Sequence, residues 1–251
     1  MKSYRTNQQI RRNIKSEFSA RKESPAAAAA NADPVFHVFA ALVAILLPLA
    51  LVALAAGIVF RMPDFLAFEI DRNGILVEQG LDTTPNEIAN EITDYLRHRK
   101  DGLDLTTVIA RKDVPVFSFM DEVNLSKVRD LLDKALYPSI IAFVLSIVLF
   151  LVTRLAERRR YLKYALRTSI VIYICAVCVV LAIALYYPFR DIVFAWQPGV
   201  VFSAGDLLPQ LYGGFYPLLS AGMVSLISFI IYIALYSIMI RFTVEKETLF
   251  R

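Results

Sequence analysis

"LYPSIIAFVLSIVLFLVTRLAERRRYLKYALRTSIVIYICAVCVVLAIALYYPF", residues 136–189, decides the class of this chain. Two apolar runs flank a short segment that carries Arg154, Arg158, Arg159, Arg160, Lys163 and Arg167. Neither 139–153 nor 168–189 contains a charged side chain. A run of about 20 apolar residues matches the hydrocarbon thickness of a bilayer. In lipid the backbone has to satisfy its own polar groups, so each run is read as a helix. Two further runs qualify: "VFHVFAALVAILLPLALVALAAGIVF" at 35–60 and "YPLLSAGMVSLISFIIYIALYSIMI" at 216–240. Composition agrees, since 57% of the 251 residues are apolar and only 20% charged, more apolar surface than one soluble core needs. The expected fold is an α-helical integral membrane protein with four transmembrane helices and a small α+β extracytoplasmic domain between the first and second. Pro48 predicts a kink in the first span.

Lys and Arg set the orientation. They crowd the leader (Lys2, Arg5, Arg11, Arg12, Lys15, Arg21, Lys22), the 154–167 loop and the tail (Arg241, Lys246, Arg251). Both termini are therefore expected in the cytoplasm. Segments 61–135 and 190–215 then face outward, and the former is acidic, with 15 Asp/Glu against 10 Lys/Arg. The net charge of +4 is mostly topology and does not imply a nucleic-acid partner. The division runs: leader 1–34, span 35–60, outer domain 61–135, span 136–155, basic loop 156–167, span 168–189, aromatic loop 190–215, span 216–240 and tail 241–251.

The first span is too long for the apolar part of a signal peptide, and a polar leader precedes it, so it reads as an uncleaved anchor. Ile10, Ile14 and Phe18 recur every four residues among basic ones. That pattern fits either a basic amphipathic helix on an anionic leaflet or a basic tail that only sets topology. Cys175 and Cys178 form a C-x-x-C in mid-span, where metal and redox partners have no access, and read as small packing residues. No metal or cofactor is expected.

Within the outer domain, "FLAFEIDRNGILVEQ" (65–79) reads as a β-hairpin turning at Asn73-Gly74. Thr84, Pro85 and Glu87 open a helix with a capping box, and its apolar stripe is Ile88, Ile92, Tyr95 and Leu96. His98 follows among Arg97, Arg99 and Lys100 and reads as a solvated histidine; His37 is the other histidine of the chain. Ser118 and Asp121 form a second capping box. Beyond it Asn124, Val128, Leu131 and Ala135 share one helical stripe, flanked by Asp121 and Lys127. An amide on an apolar face is either a packing residue pinned by hydrogen bonds or a polar site residue. The 188–217 stretch, with Tyr186 and Tyr187 just before it, clusters Phe194, Trp196, Tyr212, Phe215 and Tyr216. It reads either as an interfacial aromatic belt or as one wall of a cavity, with Tyr187, Trp196 and Tyr212 at the lipid interface.

This order of elements, with "DYL" (94–96), "FSFMDEVNLSKV" (117–128) and "PFRDIVF…DLLPQLY" (188–212), resembles the bacterial lipoprotein intramolecular transacylase family over about residues 36–240. Members move an acyl chain from the glyceryl group of a lipidated N-terminal cysteine to that cysteine's amine, and two outer-face histidines are the expected pair. The resemblance implies a site at Asp121, Asn124, Lys127, Arg190 and Asp206. Phe117, Asp121 and Val128 fit the first histidine's surroundings, but Asn124 stands at the histidine position and Lys127 at that of a family aspartate. Phe189 precedes the second histidine's position, which Arg190 occupies, and Asp206 matches. An amide does not titrate and a guanidinium stays protonated, so neither replaces a histidine in proton transfer.

Three functions follow. A catalytically silent relative would bind a lipid or a lipidated protein N-terminus at the outer face. An active acyltransferase would need a rearranged acid–base site. A non-enzymatic four-span scaffold would need neither. A transporter is disfavoured, because no span carries Asp, Glu, Lys or Arg in its interior.

Overall fold

The computed structural model describes residues 33–109, 112–186, 207–212 and 215–243. The leader pattern at Ile10, Ile14 and Phe18, the site positions Arg190 and Asp206, and the aromatics Tyr187 and Trp196 lie outside the described residues.

Helix α1 (Pro34–Val59) is opened by Asp33, whose carboxylate accepts from the Val35 N–H at 3.3 Å, with Pro34 in the first turn. Pro48 sits inside α1. In the domain that follows, α2 (Pro63–Asn73), α3 (Ile75–Gln79) and α4 (Pro85–Leu96) precede an antiparallel strand pair, β1 (Thr106–Ile109) and β2 (Lys112–Pro115). Helix α5 (Phe119–Leu155) leads into α6 (Arg159–Tyr186); α7 (Leu207–Leu211) and α8 (Tyr216–Thr243) complete the described chain. Helices α1, α5, α6 and α8 are long and apolar enough to cross a bilayer, and the protein is an α-helical integral membrane protein.

α1 is the central helix. The other three pack along it, and its Ala40, Ala44, Ala50, Ala55 and Gly57 are buried. Small side chains let helix backbones approach where lipid supplies no hydrophobic drive. α6 and α8 are joined by a polar seam: the Ser169 and Tyr232 hydroxyls meet at 2.7 Å, Tyr173 and Ser228 at 3.0 Å, and the Tyr173 and Tyr232 rings stack at 4.5 Å. At the basic end of the bundle the Asp33 N–H donates to the Tyr161 hydroxyl at 3.1 Å.

One expectation is corrected. The 65–79 stretch is helical, not a hairpin. Pro63 opens α2, and Gly74 adopts φ 65° as its left-handed C-cap. Asn-Gly serves a helix end as well as a hairpin turn, because both need a positive φ. Packing decides: Phe65, Leu66, Glu69 and Ile70 are buried on α2, which packs against α4. The strands lie instead at 106–115, where Thr106, Thr107, Val108 and Ile109 form a β-branched run.

The expected outer helix and second span are continuous across 135/136, as one 37-residue helix running through Pro138. Proline removes one backbone bond, and a hydroxyl nearby engages the backbone, as Ser139 does on the Ala135 carbonyl at 2.6 Å. Both capping boxes are present, at Thr84/Glu87 and Ser118/Asp121, and Ile88, Ile92, Tyr95 and Leu96 are buried as the stripe requires.

Candidate functional site

The half of the bundle nearest the domain encloses a cavity of about 670 Å³. Its walls are Leu49, Val52, Ala53, Ala56, Gly57 and Phe60 of α1, with Val128, Leu131, Leu132 and Ala135 of α5. Residues 172–184 of α6 and 217–224 of α8 complete it. No lining residue is ionisable apart from Cys175. The volume is that of a small-molecule pocket. α5 and α6 each pack along α1 but touch one another sparingly. Cys175, Val179 and Ile183 line the cavity and are also exposed, so it is not closed off along α6. Cys175 and Cys178 are thus exposed rather than packing residues.

The stripe expected on α5 forms one wall: Val128, Leu131 and Ala135 all line the cavity. Asn124 lies one turn toward the domain on the same stripe, 1% exposed and engaged by neighbouring groups. Lys127, half-buried, is also engaged. Asp121 is 1% exposed and occupied on both oxygens. Oδ2 accepts from the Ser118 N–H and hydroxyl at 3.0 Å each, and Oδ1 accepts from the Leu208 N–H at 3.2 Å. Asp121 therefore fastens α7 to the start of α5.

From Leu208 the linkage continues inward, since the Tyr212 N–H donates to the Leu208 carbonyl. Tyr212 is buried, its ring 4.9 Å from that of Tyr216. It is a core residue, not the lipid-interface aromatic expected from the sequence; burial pushes its phenol above the ordinary tyrosine range. Phe60, a cavity wall, packs on Tyr216 at 6.1 Å, and Phe65 does so at 5.7 Å.

Beside this aromatic group lies a residue that sequence reasoning missed. Glu69 is fully buried; Oε2 accepts from Arg72 at 3.0 Å, while Oε1 has no hydrogen-bond partner. Burial raises its carboxyl above the ordinary range, and the adjacent Arg72 opposes the shift. Glu69 stands four residues after Phe65 and shares that residue's face on a helix as on a strand, so the sequence alone did not mark it as a buried carboxylate.

His98 is not merely solvated. Its Nε2 lies 2.7 Å from Asp133 Oδ2, and Asp133 Oδ1 accepts from Arg61 at 2.6 Å. Asp133 does not itself line the cavity; through Arg61, which also donates to the Gly57 carbonyl at 3.3 Å, this clasp docks the end of α4 onto the C-terminal end of α1 and onto α5. His98 holds φ 57°, the left-handed position usually given to glycine. We expect His98→Gly to keep this backbone cap while losing the clasp. His98→Ala loses the same clasp but, like histidine, keeps a Cβ at positive φ, so it is expected to melt lower than His98→Gly by an amount equivalent to about 1 kcal/mol in a detergent thermal scan.

The comparisons with known proteins agree with this architecture. The family described as "Lipoprotein intramolecular transacylase Lit" matches residues 41–196, more than half of the chain. No curated protein matches. Among solved structures, the in meso structure of the membrane integral Lit from Bacillus cereus, with one histidine replaced by alanine, is similar. The TM-score is 0.60 at 18% identity, over 82% of this chain and 94% of that one. A variant with a histidine replaced by arginine gives 0.60 at 17%, over 82% and 92%. A further structure of the B. cereus protein gives 0.59 at 16%, over 82% and 96%. At these identities the structures speak for the fold; with the family match they lead to one conclusion, that the chain belongs to the lipoprotein intramolecular transacylase family.

Proposed function

We propose that this protein sits in the bacterial cytoplasmic membrane with both termini inside. There it takes an acyl chain of a lipid or of a lipidated protein N-terminus into its cavity from the outer leaflet, and it does not transfer that chain. The observation that carries the proposal is the cavity itself: apolar, sized for a chain, open along α6, and headed by Asn124 where the family expects a histidine. Acyl transfer to an amine needs a group that takes a proton near neutral pH, and an amide does not. Asp121 does not fill the gap, because both its oxygens are committed to the fold. Arg190, at the second position, keeps its proton and suits a phosphate or carboxylate. The B. cereus enzyme has been solved with a histidine exchanged for alanine or arginine, so its fold tolerates that exchange. The orientation rests on the Lys/Arg bias alone.

Lipids carrying a photoactivatable group in the acyl chain test the occupancy. After illumination in membranes, peptide mass spectrometry is expected to place cross-links on 128–135 and 172–184. Cross-links spread evenly around the outward faces of all four long helices would mean ordinary solvation by lipid and no bound chain.

A further inference from the structure

At the end of the bundle away from the outer domain, the first turns of α6 carry a face that the cavity does not use. Residues 154–167 hold six Lys/Arg against one acid, Glu157, and from Arg159 onward they are helical. Leu162, Ala165, Leu166 and Ser169 turn inward and are buried. Arg160, Lys163, Tyr164 and Arg167 recur at i, i+3, i+4 and i+7, so they form one stripe, and all four are exposed. At 1.5 Å per residue the stripe is about 10 Å long. It adjoins the charge-free run 168–189, which sets it at the depth of lipid headgroups.

The charge on this face is uncompensated. In the outer domain Arg61, Arg72, Arg99 and Lys100 each meet a carboxylate. Among the described residues no ion pair engages Arg158, Lys163 or Arg167. Asp33, the other acid at this end, caps α1. Like charges three or four residues apart destabilise a helix, and Arg160, Lys163 and Arg167 have that spacing. The support beneath them is fixed nonetheless. Arg158 lies 5.7 Å from the Phe36 ring, Phe36 packs on Tyr161 at 6.2 Å, and the Tyr161 hydroxyl accepts from the Asp33 N–H. The starts of α1 and α6 are thus fastened to one another.

We propose that the Arg160–Arg167 face of α6, with Arg158 just before it, docks the headgroups of anionic phospholipids. The assignment is independent of chain binding in the cavity, which lies at the other end of the bundle. The side chains select the partner. Guanidinium pairs bidentately with phosphate, lysine adds a point charge, and a tyrosine suits the membrane interface. Basic side chains beside an anionic surface each contribute favourably. Phosphatidylcholine offers the same phosphate with a cation attached, so net charge does the selecting.

The full-length protein is held in detergent micelles doped with equal amounts of phosphatidylglycerol and phosphatidylcholine of identical chains. Retained lipids are then counted by native mass spectrometry. Phosphatidylglycerol is expected to be retained about tenfold over phosphatidylcholine. Lys163→Gln/Arg167→Gln, at two exposed positions, is expected to bring that ratio close to one. Arg241→Gln removes an exposed cation from the same end but from α8, and is expected to keep most of the preference. Equal retention of the two lipids by the natural protein would overturn the proposal without any variant. A preference that survives the double exchange would overturn it too. So would one that falls equally in Arg241→Gln, because the attraction would then be diffuse. Inorganic phosphate is added in parallel with sodium chloride of equal ionic strength. Displacement of the lipid by phosphate and not by chloride would make the free anion the ligand and overturn the lipid.

Discussion

Phenylalanine at both Ala53 and Ala176 is expected to abolish acyl-chain retention while the protein still folds. The two alanines line the cavity from α1 and α6, and neither is among the fully buried residues of the helix contacts. A phenyl ring in this space displaces roughly four methylenes of a bound chain, at about 0.8 kcal/mol each. Labelling by the photoactivatable chain should therefore fall by more than about a hundredfold. The new rings replace the lost chain as packing partners, so the thermal midpoint should hold or rise. Retention unchanged in the filled protein would mean that chains bind elsewhere.

The second large effect is on stability. Asp121→Ala removes the acceptor of the buried Leu208 N–H together with the acid half of the capping box of α5, while the Ser118 cap itself remains. A buried donor left unsatisfied costs about 1–3 kcal/mol and the broken capping box somewhat less than the roughly 1 kcal/mol of a whole cap, so a destabilisation of about 2–3 kcal/mol is expected. Its consequence is local as well, because α7 and Tyr212 lose their tie to α5. Thermal melting in detergent reads the first effect; proteolysis between residues 207 and 216 reads the second. A variant that melts and resists proteolysis like the natural protein would show that the α7 tie carries no load.

The sequence made the bundle legible because lipid imposes a one-dimensional rule, and charge-free runs such as 168–189 satisfy it without ambiguity. The two capping boxes were legible for a similar reason: hydroxyl and acid side chains at fixed spacing satisfy the first free N–H groups of a helix whatever surrounds them. The α5 stripe was legible too, since one helical face from Asn124 to Ala135 could be traced without knowing what it faced. What failed were motifs whose chemistry serves two structures. Asn73-Gly74 supplies a positive φ to a hairpin or to a helix end, and only the packing of α2 against α4 selects the helix.

Glu69 was missed for another reason: it shares the face of Phe65 on a strand as on a helix, and nothing in the sequence marks that face as one that buries a carboxylate. His98 was misjudged because its partner, Asp133, is distant in sequence, and the cysteines because a cavity beside them could not be foreseen. Of the five expected site positions, Asp121, Asn124 and Lys127 lie together on the described part of α5, toward the domain from the cavity, with Asp121 turned to a structural task.

The central claim, that this family member holds a chain without moving it, is tested most directly on a lipoprotein. The natural protein and Asn124→His/Arg190→His are each co-expressed with a diacylglyceryl lipoprotein in a bacterium that lacks any transacylase of this kind. The lipoprotein's N-terminal peptide is then read by mass spectrometry. The natural protein is expected to leave the peptide unchanged, with its amine free and both glyceryl esters intact. An N-acylated peptide that has lost one ester, made by the natural protein, would contradict the claim and show that acyl transfer proceeds here without the family's histidines.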